Sequence, residues 1–145
     1  MSIDQTITRL GYAGLIPFVL LTGLMWLVDR ELLPFVSIAL GAYAAAIVSF
    51  LGGVHWGIGF VKARSDGMAA PRFHFWWGVV PSLMAWLALM LPAYATLPLL
   101  GLVVVACYAV DRNTYPAAGL ANWLPMRWRL TVVATMSCLL GAAAV

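Results

Sequence analysis

The stretch Tyr43-Ala-Ala-Ala-Ile-Val-Ser-Phe-Leu-Gly-Gly-Val-His55-Trp56-Gly-Ile-Gly-Phe60 decides how the chain is read. It carries one histidine and no charged residue over a length that predicts an apolar helix. Counted from Gly41, every fourth residue is small: Gly41, Ala45, Ser49, Gly53, Gly57. Small residues at this interval let helix backbones approach closely, which is how helices associate in a bilayer, where water does not drive them together. In water each helical glycine would cost about 1 kcal/mol relative to alanine, so the stretch reads as the packed centre of a membrane bundle. Gly52 and Gly59 stand three residues before and four after His55, on its side of the helix, and open space is expected around the imidazole.

The rest of the chain agrees. Of 145 residues 64% are hydrophobic and 9% charged, with a mean hydropathy of +0.98, outside the range of soluble globular domains. The fold class expected is an all-α integral membrane protein, a single domain over residues 1–145 containing a bundle of five transmembrane helices. The spans fall at about 10–28, 34–61, 73–91, 97–110 and 126–145, the fourth being short enough to begin nearer Ala93. The first is too long for the apolar region of a signal peptide and is expected to remain as an anchor.

The formal net charge is +3, but the basic residues form no run, which excludes nucleic-acid binding by the basic-patch criterion. They mark topology instead. Arg9, Lys62, Arg64, Arg72, Arg112, Arg127 and Arg129 flank one set of span ends, and Arg30 stands alone at the other. Positive charge is retained inside, so the N-terminus is expected inside and the C-terminus outside. Trp26, Trp76, Trp77, Trp123 and Trp128 lie near span ends, where indole rings favour the headgroup region. Cys107 and Cys138 have no disulfide or metal-ligand spacing and read as buried small hydrophobes. Pro34, Pro71 and Pro98 stand at helix starts, whereas Pro17 and Pro81 are interior and free the carbonyls of Ala13 and Trp77.

An ionisable residue within a span faces a cavity or a partner, so His55 is the first candidate site residue. Trp56 beside it offers a flat apolar wall and one donor. Tyr12, Ser49, Trp77 and Tyr108 are expected in the same half of the membrane. His74 invites pairing with His55 as haem ligands, but counting from the span ends puts the two about 7 Å apart in depth at the helical rise, and no cofactor is expected. Asp111 closes the fourth span and is expected to pair with Arg112 or Arg127, or to serve His55 as a proton partner. The arginines also suit an anionic headgroup, and residues 116–123 are expected to form a short helix over the site.

Leu10-Gly-Tyr-Ala-Gly-Leu-Ile-Pro-Phe18, Ser49-Phe-Leu-Gly-Gly-Val-His-Trp-Gly57, and Trp123 followed by Arg127 and Leu130-Thr131 resemble the family of domain of unknown function 3429, which includes the mitochondrial transmembrane protein 69. The resemblance covers nearly the whole chain, and His-Trp-Gly after paired glycines is its most specific part. Trp123-Leu124 departs from the Trp-Tyr expected at the fifth helix. The resemblance implies a multi-pass protein of the bacterial inner (cytoplasmic) membrane, or of the mitochondrial inner membrane in a eukaryote, and it implies no activity. Length, helix number and tryptophan content are also similar to the tryptophan-rich sensory proteins, but Asp29-Arg30-Glu31 leaves no room for their loop motif.

These features favour binding of a lipid, quinone or similar lipophilic small molecule in a pocket around His55, formed with Trp56, Ser49, Tyr12, Trp77, Tyr108, Asp111 and Arg127. A second reading is an accessory or assembly subunit of a respiratory or other membrane complex, with the Gly41, Ala45, Ser49, Gly53, Gly57 stripe against a membrane-protein partner. A third is a proton or ion path through His55 and Asp111, for which one histidine is a poor relay. No nucleophile-base order, paired carboxylates or metal-ligand cluster is present, so no enzyme and no metal site are expected.

Overall fold

The computed structural model describes residues 1–65 and 71–145; the part of the second connection at 66–70 lies outside the described residues. Among the described residues every regular element is helical: α1 (Ile3–Ala13), α2 (Ile16–Leu27), α3 (Leu33–Ser65), α4 (Arg72–Ala88), α5 (Ala93–Thr114) and α6 (Leu124–Ala143). Two 3-10 turns, Pro116–Ala118 and Ala121–Trp123, join α5 to α6 where a short helix was expected.

The rods Ile3–Leu27, Leu33–Ser65 and Ala93–Thr114 are long and apolar enough to cross a membrane by length and composition. The fourth span begins at Ala93, so Pro98 is interior to α5 rather than at its start. Pro17 is not interior. The rod breaks at Gly14-Leu15, and Pro17 occupies the first turn of α2, where its missing N–H leaves no helical bond unmade. The Tyr43 hydroxyl donates to the freed Gly14 carbonyl at 2.7 Å. Pro81 lies inside α4 as its sequence position required.

The glycine-containing helix α3 is the centre, touching α2, α4, α5 and α6. Phe18, Leu40, Val48, Leu97, Leu100 and Val104 fill the interior beside it. Among the hydroxyl groups that enter this core, two bond to backbone across element boundaries. Thr22 donates to the Ser137 carbonyl at 3.1 Å, linking α2 to α6, and the Thr96 hydroxyl lies 2.8 and 2.7 Å from the Ala88 and Leu91 carbonyl oxygens at the turn into α5. Each such bond satisfies a group that lipid could not.

The small-residue stripe does not stay on one face. Gly41 and Ala45 are buried and Ser49 half-buried, whereas Gly53 and Gly57 are exposed with open space beside them. A four-residue interval overshoots one helical turn by about 40°, so four intervals carry the stripe almost to the opposite side.

Candidate functional site

Gly52, beside the stripe, faces Gly78 of α4. A Cβ on Gly52 would overlap the Gly78 carbonyl oxygen, and one on Gly78 would overlap the Trp56 ring and lie 2.8 Å from the Gly52 carbonyl oxygen. Further along, a Cβ on Gly59 would come within 2.9 Å of the Phe75 ring. The glycines therefore admit α4 instead of leaving a cavity, and the open space expected around His55 is filled. This approach delivers His74, in the first turn of α4, to His55.

The two imidazoles meet Nδ1 to Nδ1 at 3.0 Å. Their planes differ by 25° and their centroids lie 5.2 Å apart, a separation larger than the N···N distance by about two ring radii, so the contact is edge to edge and in plane. The depth argument that kept the two histidines apart fails because the helix ends are not level: α3 runs on to Ser65, past the level at which α4 begins. On its other edge, His55 Nε2 lies 2.9 Å from Asp111 Oδ1. Arg127 donates to Asp111 Oδ2 from Nε at 2.9 Å and from Nη2 at 2.6 Å. Four helices thus each contribute one side chain to an unbroken series, His74 to His55 to Asp111 to Arg127.

Hydrogen-bond logic fixes the protons of the neutral pair. A carboxylate held by a guanidinium only accepts, so His55 Nε2 carries the hydrogen and donates it to Asp111. His55 Nδ1 is then a lone pair, and His74 Nδ1–H donates to it. His55 is 0% exposed, Asp111 1% and His74 5%. With both His55 nitrogens engaged by protein groups, no valence is left for a ligand on that ring. The facing nitrogens meet edge to edge at 3.0 Å and are directed at each other rather than at a third point. Among the described residues no group of three or more His, Cys, Asp or Glu could hold a metal ion.

Tyr115, just past α5 and 4% exposed, covers His55 with ring centroids 6.2 Å apart. Burial and then the Asp111 carboxylate push its phenol up to about 12. Neither His74 nor Tyr115 was among the expected site residues. His74 lay too near a span end in sequence, and Tyr115 lay in the connection, outside every expected span.

Of the eight residues expected at the site, His55, Asp111 and Arg127 come together, while Arg112 is exposed and leaves Asp111 to Arg127. Trp56 donates to the Phe75 carbonyl at 3.1 Å, and Ser49 donates within α3 to Ala45 at 2.8 Å. Tyr12 accepts from Arg129 at 3.1 Å. Tyr108 packs on Trp128 with centroids 5.3 Å apart, and the buried Trp77 indole N–H has no partner among the described residues.

The family described as a protein of unknown function (DUF3429) matches residues 3–143. Transmembrane protein 69 of Xenopus tropicalis is 39% identical over 137 residues, covering 88% of this chain and 50% of that relative. The chain therefore spans about half the length of the relative it matches. No solved structure matches.

Proposed function

The chain belongs to the DUF3429 family, and from its buried polar series we propose that it is a multi-pass membrane protein that accepts and holds a proton at the basic end of its bundle. Five rods crossing the membrane, with the basic end inside, are part of this reading, as is placement in a bacterial or mitochondrial inner membrane. The observation that carries it is the uninterrupted hydrogen-bonded run from His74 Nδ1 through His55 to Asp111. His74 Nε2 makes no hydrogen bond among the described residues and is the entry point.

A proton added at His74 Nε2 leaves the Nδ1 contact intact, because His74 Nδ1–H still donates to His55. Transfer along the run then moves a hydrogen from His74 to His55 and from His55 Nε2 to Asp111, each over 2.9 to 3.0 Å. A second proton on the pair would set two N–H groups against each other and open the contact. The series runs sideways through the bundle rather than across it, and beyond it lie Val104, Leu100, Leu97 and Leu40. The reading is therefore of proton binding coupled to helix packing, with no conduction through the apolar half and no bond-making chemistry.

Nitrogen-15 NMR of the protein in liposomes tests it. The expected outcome is a neutral Nε2–H tautomer at His55, a neutral Nδ1–H tautomer at His74, and a titration of His74 that shifts in Asp111→Asn. Two histidines that titrate independently, each unaffected by loss of Asp111, would end this reading.

The ligand reading on His55 requires displacement of Asp111 or His74. The subunit reading has an observation of its own, the exposed Gly53 and Gly57 with nothing within 4 Å, where a partner helix would pack closely. If Gly53→Leu abolishes a crosslink in native membranes while the monomer stays folded, that reading gains; if crosslinks are unchanged, it is lost.

A further inference from the structure

Arg127 belongs to two surroundings. Its Nε and Nη2 face Asp111, and its side chain also lines an apolar groove of about 140 Å³ between the α1–α2 rod, α3 and α6. Leu10, Phe18, Ile47 and Ala134 form part of the wall, and the exposed Phe50 lies at the surface. One more polar residue lines it. Thr131 is 2% exposed, and its hydroxyl has no hydrogen-bond partner. A threonine inside a helix ordinarily bonds back to the carbonyl one turn earlier; this one does not, and an unmade bond in an apolar surrounding calls for an acceptor from outside.

The groove has a polar end and an apolar end. Arg127 and Thr131 lie near the start of α6, and the lining continues along it to Ala134, about 10 Å from Arg127 at the helical rise. Arg9 precedes the lining residue Leu10 on α1, and Arg129 precedes Leu130 on α6; both arginines are exposed. The cations thus stand where the groove meets the basic end of the bundle. The volume is close to that of an apolar cavity of about 150 Å³ that holds a benzene-sized guest, which suits a run of methylenes and is too small for a porphyrin or sterol ring system.

We infer that this groove is a binding site for an anionic phospholipid of the leaflet at the basic end. One acyl chain lies along the wall toward Ala134, the ester carbonyl accepts from the Thr131 hydroxyl and from the Arg127 nitrogen not bound to Asp111, and the phosphate meets Arg9 and Arg129. The site is separate from the proton reading and does not depend on it.

The test reconstitutes the full chain in mixed phosphatidylglycerol and phosphatidylcholine vesicles containing phosphatidylglycerol with a photoactivatable diazirine in its acyl chain. Adducts are expected to concentrate on residues 10–18 and 130–134 over the exposed outer face of α4 around Leu83 and Trp86. Ile47→Trp, which fills the groove, is expected to cut these adducts about tenfold and leave the α4 labelling unchanged. Thr131→Val, of equal volume, is expected to cut them about fivefold, the loss of one ordinary hydrogen bond, with its unfolding midpoint confirming an intact bundle. Groove adducts no denser than those on α4, or unchanged in both variants, would show annular lipid only and overturn the site. Equal labelling by the phosphatidylcholine analogue, or displacement by a benzoquinone but not by phosphatidylglycerol, would overturn the assignment of the ligand.

Discussion

Asp111 is the residue on which the buried series turns, because it is the anion that two donors share. Removing it leaves the Arg127 guanidinium and the His55 N–H unpaired in the interior. Asp111→Ala is therefore expected to destabilise the protein by about 3–5 kcal/mol, read from unfolding by denaturing detergent. The double variant Asp111→Leu with Arg127→Met removes both charges and is expected to be markedly less destabilised than the sum of the single changes. Additive losses would show that the ion pair is not formed. Tyr115 makes a second prediction at this scale. Its phenol is raised from the ordinary 10 to about 12 by burial and the nearby carboxylate, so between these values the folded chain keeps a proton that the unfolded chain has lost. Its contribution is fully present below pH 10 and is lost as pH rises toward 12. Tyr115→Phe is expected to remove that slope from the unfolding midpoint measured across pH 9 to 12.

At the scale of the helix, α3 and α4 meet where two glycines face each other, and the contact exists only because neither carries a side chain. Gly52→Ala and Gly78→Ala are each expected to cost about 1–3 kcal/mol through overpacking, and to part His74 from His55, read as loss of the Nδ1–Nδ1 coupling in NMR. Gly53→Ala and Gly57→Ala meet open space and are expected to leave stability unchanged or to raise it by up to about 1 kcal/mol, because alanine is the better helix former. A ranking in which Gly53 is the more sensitive position would refute the packing described. Adjacent glycines in one helix thus have opposite consequences, decided by which side of α3 each occupies.

For the whole molecule, the seven cations at one end and Arg30 at the other predict two sides. In reconstituted vesicles, Ser65→Cys and Arg30→Cys are expected to react with a membrane-impermeant maleimide from opposite faces. Labelling of both from one face would remove the odd-span topology. The native thiols give a clean background for this measurement: Cys107 is 1% and Cys138 0% exposed, and both are expected to stay unreactive until the bundle is unfolded. The same architecture sets the sides of the proposed functions, since the proton site and the phospholipid groove both open toward the basic end.

The sequence by itself determined that this chain is a bundle of apolar helices, because a composition this rich in Ile, Leu, Val, Ala and Trp has few other ways to satisfy its backbone. It also singled out His55, Asp111 and Arg127, each a costly group beside apolar residues. Periodicity placed Gly52 and Gly59 on the face of His55 but not the α4 backbone that fills that face. A repeat of four, read as one stripe, concealed a rotation that buries Gly41 and exposes Gly57. Only the tertiary structure decided that His74 joins His55 and that Tyr115 covers it, because the relative height of neighbouring helices is set by packing between them. That offset is a property of pairs of helices, and no count of residues along one of them contains it.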